Sequence, residues 1–457
     1  METVKTDYLV IGCGAVGMAF ADTILEESDK RLLILDDRAA PGGHWNDAYP
    51  FVTLHQPSAF YGVASTELSR GRVDETGLNK GMMELATGAE VAAYFQQVLR
   101  ERFLPSGRVE FRPLTRWEGD GIARDLATGE TFRVEAEKIV DATYFGTNIP
   151  ALHDPSFEVD EGATMIPVNE LPRHVAGAED FVIIGGGKTA MDAVIWLLEN
   201  RVHPDRIRWV RNRDSYLMNR AKTQPGDDFF ADTFGGQVAT FEAMGAASDP
   251  DDLLDRLEAA NVLLRLDSDV RPKMFHGATI SEDEAAELRR VKNVIRMGYV
   301  QRVGVDEVVL DQGTIQATAK TVHVDCSACA VTKRPTVKVF DGDRITLQMI
   351  RIFQPTFSAS LIAWLDVHYD DEKAKNRLSS PAPLPDKATD WIKVNVATMM
   401  NQFNWSQDKA LRTWMTSNRL DGFSKVARSV DPEDAEKMAI LMKMRDAAKP
   451  AMMFWVV

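Results

Sequence analysis

The sequence predicts an α/β protein in which one plan, a strand, a glycine turn, a helix and a second strand, occurs twice. Two observations predict this fold class. The runs DYLVIGCGAVG and FVIIGGGKTAM each place clustered glycines between an apolar strand and an apolar helix. Each copy also leads through a β-meander to a strand that ends in Val-Asp. The chain has 457 residues, and at roughly 150 residues per domain it has room for both copies and a further region.

The first copy begins at Asp7, and its turn has the spacing GxGxxG at Gly12, Gly14 and Gly17. The first glycine allows the tight turn, the second lets the backbone approach a pyrophosphate, and the third lets helix and strand pack closely. Asp36 closes the next strand about 20 residues downstream, where a carboxylate can accept hydrogen bonds from a ribose 2′-hydroxyl. We therefore expect a dinucleotide site; the alternative is a tight turn with a structural role only.

The second copy has Gly185, Gly187 and Ala190 in the same setting, but its second strand ends in Arg211 and Arg213 instead of an acid. A carboxylate would repel a 2′-phosphate, whereas guanidinium groups pair with it bidentately. This copy therefore predicts a site for a 2′-phosphorylated dinucleotide. The alternative is that both arginines are solvated surface residues.

The intervening segments follow a coarse pattern. Residues 91–103 have helical spacing, 109–144 resemble a β-meander, and 249–261 and 281–297 are predicted helices, the last with a capping box at Ser281 and Glu284. The interpretation is two Rossmann-like dinucleotide-binding domains, the second inserted into the first, with a C-terminal helical cap. The predicted boundaries are 1–170 for the first part of the first domain, 171–320 for the inserted domain, 321–378 for the second part, and 379–457 for the cap.

Composition excludes several classes of protein. The 53 basic and 68 acidic residues leave a net charge of −15, which disfavours nucleic acid and anionic membrane surfaces as partners. Three cysteines are too few for a disulfide framework, and neither a leader-like segment nor a membrane span is recognisable. We expect a cytoplasmic protein. No spacing among the histidines and cysteines predicts a metal site.

Local motifs then narrow the class. ILDDRAAPGGHWNDAYPFVTLHQPS resembles the region after the second strand of flavin-containing and Baeyer-Villiger-type monooxygenases. VIIGGGKTAMDA is similar to their NADPH motif, and VDATYFGTNIP lies where they carry a strand-end Ala-Thr-Gly segment. The resemblance implies two cofactors, FAD and NADPH. It implies FAD at Gly12, Gly14, Gly17, Asp36, Arg38, Gly43 and Trp45, and NADPH at Gly185, Gly187, Ala190, Arg211 and Arg213.

The resemblance also has a gap. The Phe-x-Gly-x-x-x-His fingerprint of those enzymes is absent before the second glycine turn, where the chain reads GATMIPVNELPRHVAG. We expect an NADPH-dependent flavoprotein oxidoreductase of monooxygenase type, which would insert one oxygen from O₂ into a small organic substrate through a peroxyflavin. A reductase or dehydrogenase without oxygenation and a non-catalytic redox or nucleotide sensor remain open at this point.

Catalytic candidates come from the same loop. The resemblance places His44, His55 and Gln56 along the flavin ring, where a histidine could donate a hydrogen bond to flavin or substrate and exchange protons near neutral pH. The alternative is a hydrogen bond that only holds an irregular loop. Cys326 and Cys329 form a CxxC, which could be a redox dithiol; we favour two small buried core residues.

Overall fold

The computed structural model describes residues 2–147, 149–327 and 334–455, with side chains as far as residue 452. Its architecture is mixed α/β, with strands in several sheets. The strands of the described chain are β1 Thr3–Ile11, β2 Leu32–Leu35, β3 Gly62–Val63, β4 Thr66–Glu67, β5 Val109–Arg112, β6 Thr115–Gly119, β7 Ile122–Asp125, β8 Thr131–Asp141, β9 Glu158–Val159, β10 Thr164–Pro167, β11 Asp180–Ile184, β12 Ile207–Val210, β13 Ser215–Asn219, β14 Leu263–Leu264, β15 Met274–Ile280, β16 Val294–Ile295, β17 Val300–Val303, β18 Glu307–Leu310, β19 Gly313–Gln316, β20 Thr321–Asp325, β21 Phe340–Asp341 and β22 Arg344–Thr346.

The helices lie mainly in the second half of the chain. In the same described residues they are α1 Ala15–Glu27, α2 Gly88–Val98, α3 Leu171–His174, α4 Lys188–Glu199, α5 Phe230–Ala246, α6 Pro250–Ala259, α7 Glu282–Leu288, α8 Pro355–His368, α9 Glu372–Leu378, α10 Asp390–Gln407, α11 Lys409–Ser417, α12 Ser424–Arg428 and α13 Ala435–Trp455. None of them is both long enough and apolar enough to cross a bilayer.

The largest sheet has the strand order β21-β22-β8-β1-β2-β5, and the neighbours from β22 to β5 pair in parallel. The expected meander over 109–144 is only partly present. Strands β6, β7 and β8 pair antiparallel, but β5 joins β2 in parallel instead, with Leu32 opposite Val109. The reason is that the apolar residues of β5 extend the core already formed by β1 and β2.

The second sheet repeats this arrangement. Its order is β10-β20-β11-β12-β16, and every neighbouring pair is parallel. Strands β11, β12, β16 and β20 hold the positions that β1, β2, β5 and β8 hold in the first sheet. Because β10 and β20 both belong to the second sheet, the predicted boundaries at 170/171 and 320/321 cut across it. The division into domains remains a prediction.

A further hydrophobic core combines residues from 216–275 with residues from the C-terminal region, 388–451. Strands β13, β14 and β15 form a small sheet, and its apolar residues share one core with α5, α6, α10 and α13. The predicted capping box at Ser281 and Glu284 is present. The predicted helix over 281–297 ends early, at Leu288, because β16 must reach β12 within the next few residues.

Candidate functional site

The first glycine turn lies at the carboxyl end of β1. Gly12 has φ +103°, and its N–H donates to the carbonyl of Leu35 at 2.8 Å, so the turn is held against β2. A Cβ on Gly17 would lie 2.0 Å from the Gly12 carbonyl oxygen. Helix α1 can therefore pack this closely on β1 only with glycine at the third position of the fingerprint.

Asp36 lies beside this turn, as expected. Its side chain is 6% exposed, and its carboxylate accepts hydrogen bonds from the N–H of Cys13 at 2.6 Å and of Arg38 at 2.8 Å. Burial raises the pKa of Asp36, and the two N–H groups oppose that rise. Two bonds leave acceptor capacity on the carboxylate oxygens. The group is therefore suited to receive ribose hydroxyls at the turn.

The segment after β2 folds back onto the same turn. A Cβ on Gly43 would lie 3.0 Å from the Cα of Gly14, so the two backbones are in contact. Arg38 pairs with Asp47 at 2.7 Å, and the indole N–H of Trp45 donates to a tyrosine hydroxyl at 2.7 Å. The residues that the resemblance assigned to FAD are thus gathered at one edge of the first sheet.

Helix α8 approaches the same edge. The hydroxyls of Thr23 and Ser360 are 2.8 Å apart, and Nε2 of His368 lies 3.5 Å from the Glu27 carboxylate. From Thr23 to Glu27 along α1, the contacted residue of α8 therefore advances from Ser360 to His368. The two helices run in the same direction, so both positive N-terminal ends face the edge that carries the first turn.

The second glycine turn is built in the same way but is more open. The N–H of Gly185 donates to the carbonyl of Val210 at 3.0 Å, and a Cβ on Gly185 would lie 2.5 Å from the Cys326 carbonyl oxygen. A Cβ on Gly187, by contrast, would meet no atom within 4 Å among the described residues. Gly187 precedes α4, so this helix N-terminus has space in front of it for an anionic group.

The two predicted arginines lie beside this turn but in different environments. Arg211 is 3% exposed, and its guanidinium pairs with Asp214 at 2.9 Å. The side chain of Arg213 is 40% exposed, with Nη1 3.7 Å from Asp386. In both residues the buried Nε–H has no hydrogen-bond partner within the described part of the chain. Two N–H donors without acceptors at the end of β12 are suited to bind an anionic group. Arg213 is more accessible to such a group than Arg211 is.

His55 contacts the other half of the molecule. Its Nδ1 accepts the main-chain N–H of Thr279 at 3.1 Å, and its carbonyl accepts from Nε of Arg220 at 3.0 Å. Burial lowers the pKa of His55 to about 3, and the positive charges of Lys188 and Arg220 contribute. A pKa this low disfavours proton exchange by His55 near neutral pH, and its catalytic role stays a prediction.

His44 is neutral for similar reasons. Its ring packs on that of Trp45, with centroids 5.1 Å apart. Burial lowers the pKa of His44 to about 4, with a further contribution from Arg38, while Asp47 opposes the shift. The lowered pKa disfavours proton exchange near neutral pH at His44 as well, and its catalytic role also stays a prediction. Both histidines can still donate or accept hydrogen bonds in the neutral form.

Sequence reasoning missed a cluster of charged side chains between the two halves, which we call the junction cluster: His55, Lys188, Asp192, Arg220 and Glu284. Arg220 pairs with Glu284 at 2.6 Å, Lys188 pairs with Asp192 and lies 3.7 Å from Glu284, and a hydroxyl from the first half, that of Tyr49, donates to Asp192 at 2.6 Å. Lys188 lies in the second glycine motif, Glu284 in the predicted capping box and His55 among the catalytic candidates, but no sequence signal placed the three together. Arg220 and Glu284 become neighbours through tertiary contact alone.

The CxxC segment is described only at its start. Cys326 is buried, and burial raises the pKa of its thiol well above the ordinary value, which disfavours the reactive thiolate. Cys329 lies outside the described residues. Among the residues with defined positions, no group of three or more histidine, cysteine, aspartate or glutamate side chains is placed to hold a metal ion.

The lowered pKa values predict acid sensitivity. An unfolded chain takes up protons at histidine near the ordinary pKa of 6.5, whereas folded His55 and His44 do so at about 3 and about 4. Between pH 6.5 and 4 the unfolded state therefore binds more protons, and the free energy of unfolding should fall as the pH falls, by up to about 1.4 kcal/mol per pH unit for each histidine.

Urea unfolding at several pH values measures this slope. His55→Gln should reduce it by about one proton, while His203→Gln, at a histidine whose side chain is 69% exposed, should leave it unchanged. A wild-type stability that is flat over this range would contradict the prediction.

Comparison with solved structures shows which known proteins share this fold. No protein-family model matches the chain. The protein chain in the crystal structure of the OTEMO complex with FAD and NADP has 14% sequence identity to this chain. The two superpose with a TM-score of 0.51 over 79% of this chain and 83% of that one. The open crystal structure of cyclohexanone monooxygenase is 13% identical, with a TM-score of 0.50, over 88% of this chain and 99% of that one. The chain has the fold of these monooxygenases.

Closer similarity is found in mycobacteria. The proteins named "Uncharacterized protein Rv2000" of Mycobacterium tuberculosis and "Uncharacterized protein Mb2023" of Mycobacterium bovis are each 45% identical over 424 residues. The alignment covers 92% of this chain and 78% of each relative. The chain belongs to the family of these mycobacterial proteins.

Proposed function

We propose that the protein is an FAD-containing, NADPH-dependent oxidoreductase that inserts one oxygen atom of O₂ into a small organic substrate. One observation carries the proposal: two dinucleotide-type glycine turns follow β1 and β11, which hold corresponding central positions in two sheets, and the loop after β2 reaches the second half of the chain. The shared fold with flavin monooxygenases supports it. A cytoplasmic location is part of the proposal.

The first turn would hold FAD. Asp36 would accept hydrogen bonds from the ribose, and the N-terminus of α1 would face the pyrophosphate. Gly12, Gly14 and Gly17 would shape the turn, with Arg38, Gly43 and Trp45 lining the adjoining loop. When bound, FAD supplies the redox chemistry, and the chain supplies binding, orientation and exclusion of water.

The second turn would hold NADPH. The space in front of Gly187 would receive the pyrophosphate, and Arg213, with the buried Arg211 behind it, would contact the 2′-phosphate. Gly185 and Ala190 would allow the turn to pack on its strand. The proposed domains are 1–170 with 321–378 for FAD, 171–320 for NADPH, and a helical region over 379–457; the strand pairings favour moving β10 and β20 to the NADPH domain.

The loop between the two turns would carry the catalytic side chains. His55 and His44, both neutral at pH 7, would donate or accept hydrogen bonds without changing charge, and Gln56 would contribute an amide. The junction cluster would close the cleft behind them, because its charges are paired and largely removed from water. A dry, shaped cleft between the cofactors is the setting that oxygen transfer needs.

Isotope labelling tests the reaction. The purified protein, loaded with FAD, is mixed with NADPH and ¹⁸O₂ and screened against small ketones, amines and aromatic compounds. One ¹⁸O atom in a product, together with NADPH consumption stimulated by that compound, is the expected result. NADPH consumption that no compound stimulates, with hydrogen peroxide as the sole oxygen product, would replace oxygenation by simple reduction. A protein that takes up no FAD would refute the function as a whole.

FAD affinity should depend on Asp36. Replacing Asp36 by Ala removes charge-assisted hydrogen bonds worth about 1.5 to 3 kcal/mol, so the dissociation constant for FAD should rise about 10- to 150-fold, measured by fluorescence titration of the apoprotein. Asp37→Ala is the matched control, because that neighbouring carboxylate points outward and pairs with Arg116. Equal losses in both variants would contradict the assignment.

Coenzyme choice should depend on Arg213. Arg213→Ala should weaken NADPH binding about 10- to 150-fold and leave NADH binding nearly unchanged, since NADH lacks the 2′-phosphate. Gly187→Ala is the contrasting variant: its Cβ enters open space, so the fold should be kept, but it should weaken both coenzymes alike by crowding the pyrophosphate they share. Calorimetric titration measures both, and a wild type with equal affinity for NADH and NADPH would refute the 2′-phosphate site.

A further inference from the structure

The imidazole of His55 is held by the other half of the molecule. The main-chain N–H of Thr279, in β15, points at Nδ1 from 3.1 Å. Arg220 follows β13 of the same small sheet and is 1% exposed. Its Nε–H donates a hydrogen bond to the His55 carbonyl at 3.0 Å. These two contacts fix both the position and the orientation of the ring.

The contact with Thr279 also decides which nitrogen carries the proton. A main-chain N–H can only donate, so Nδ1 must be the unprotonated acceptor. A neutral imidazole has one donor and one acceptor nitrogen, and the proton therefore lies on Nε2. Within the described residues, Nε2 has no hydrogen bond to another side chain or carbonyl, so this donor is available to a bound molecule.

The charges around the ring keep it in this form. Burial disfavours a positive charge on the imidazole most, Lys188 and Arg220 also oppose it, and only Glu284 favours it. Asp192 faces Lys188 and not the ring. The sum lowers the pKa of His55 to about 3, so a second proton on Nδ1, which would collide with the Thr279 N–H, is not taken up at physiological pH.

We propose that Thr279 and Arg220 are positioning residues that make His55 a fixed hydrogen-bond donor through Nε2, and that this donor is formed only where the small sheet of β13, β14 and β15 meets the loop after the first glycine turn. This inference rests on the proposed function for its ligand: Nε2 would donate to an oxygen atom of the substrate or of the flavin. It excludes His55 as a general base. It also means that residues from both halves of the chain are needed to position His55.

Nitrogen-15 NMR of the histidine-labelled full-length protein tests the tautomer directly, with His55→Gln to assign the signal. The expected spectrum has a protonated Nε2 and an unprotonated Nδ1, unchanged between about pH 5 and 8. Thr279→Pro removes the N–H and should give a mixture of tautomers, whereas Thr279→Ala keeps the N–H and should retain the wild-type tautomer. A protonated Nδ1, or titration near pH 6.5, would overturn the proposal.

A second pair of variants keeps the test decisive if Thr279→Pro fails to fold. Lys188→Gln and Arg220→Gln each remove a cation that faces the ring, so each should raise the pKa of His55. Only Arg220→Gln also releases the His55 carbonyl, so it alone should loosen the ring and mix the tautomers. Identical spectra for the two variants would show that Arg220 acts through charge only, and would overturn its positioning role.

Product formation supplies an independent measurement. In His55→Gln the amide nitrogen can replace Nε2, whereas the shorter His55→Asn reaches only the position of Nδ1 and leaves no distal donor. His55→Asn should therefore lose about tenfold more product per NADPH consumed than His55→Gln, about the worth of one hydrogen bond. The reverse order would overturn the donor role. A wild type without FAD would refute the proposed function while leaving the NMR result on the tautomer intact.

Discussion

Asp421→Asn is expected to lower the free energy of unfolding by about 3 to 5 kcal/mol, the cost of breaking a buried ion pair by removing one partner. The side chains of Arg351 and Asp421 are 5% and 1% exposed and 2.6 Å apart. The guanidinium also lies over the ring of Phe357, 3.6 Å from its centroid. Without the carboxylate charge, Arg351 would remain buried with no anion beside it.

Thermal and urea unfolding measure the loss. The double variant Arg351→Met with Asp421→Asn should recover much of it, because a neutral pair of similar volume leaves no unpaired charge to bury. Asp228→Asn, at an exposed position, is the control and should change stability by less than about 0.5 kcal/mol. A small effect of Asp421→Asn alone would contradict the prediction. The pair also matters for the candidate site, since Arg351 lies just before α8 and Asp421 comes from the C-terminal region.

Gly17→Ala is expected to destabilise the protein strongly, because the added methyl group has no space. Its Cβ would lie 2.0 Å from the Gly12 carbonyl oxygen and 3.2 Å from the Cβ of Ala142. Both obstacles belong to tightly packed strand ends, so α1 would have to move away from β1. We expect a loss of at least about 3 kcal/mol, the upper range for overpacking, and with it the loss of FAD binding.

Gly235→Ala is the matched control. Gly235 lies inside α5, and a Cβ there would meet no described atom within 4 Å. Alanine in a helix interior is favoured over glycine by about 0.5 to 1 kcal/mol, so this variant should be slightly more stable than the wild type. Differential scanning calorimetry of the two variants measures the contrast. Similar melting temperatures for them would show that the first turn tolerates a wider strand-to-helix spacing.

The local sequence pattern was sufficient to predict the glycine turns and the residues that lie beside them. Gly12, Gly17 and Asp36 lie together because a turn after a parallel strand must meet the end of the adjacent strand, and spacing along the chain determines that meeting. The same reasoning predicted the capping box of α7, whose two residues lie three positions apart. The division of strands between the sheets was harder. β10 and β20 pair across more than 150 residues of chain, and no local signal marks such a partner.

The sequence by itself determined the α/β class, the two glycine turns and the loop that carries His55, because these depend on residue type and spacing within short segments. Tertiary structure alone decided what those residues can do. It buried Arg211 against Asp214 while leaving Arg213 accessible, and it brought Thr279 to His55 from 224 positions away. Burial and neighbouring charges determine the pKa and tautomer of His55 and the accessibility of the Arg213 guanidinium. Burial and neighbouring charges both depend on side chains that only folding brings together.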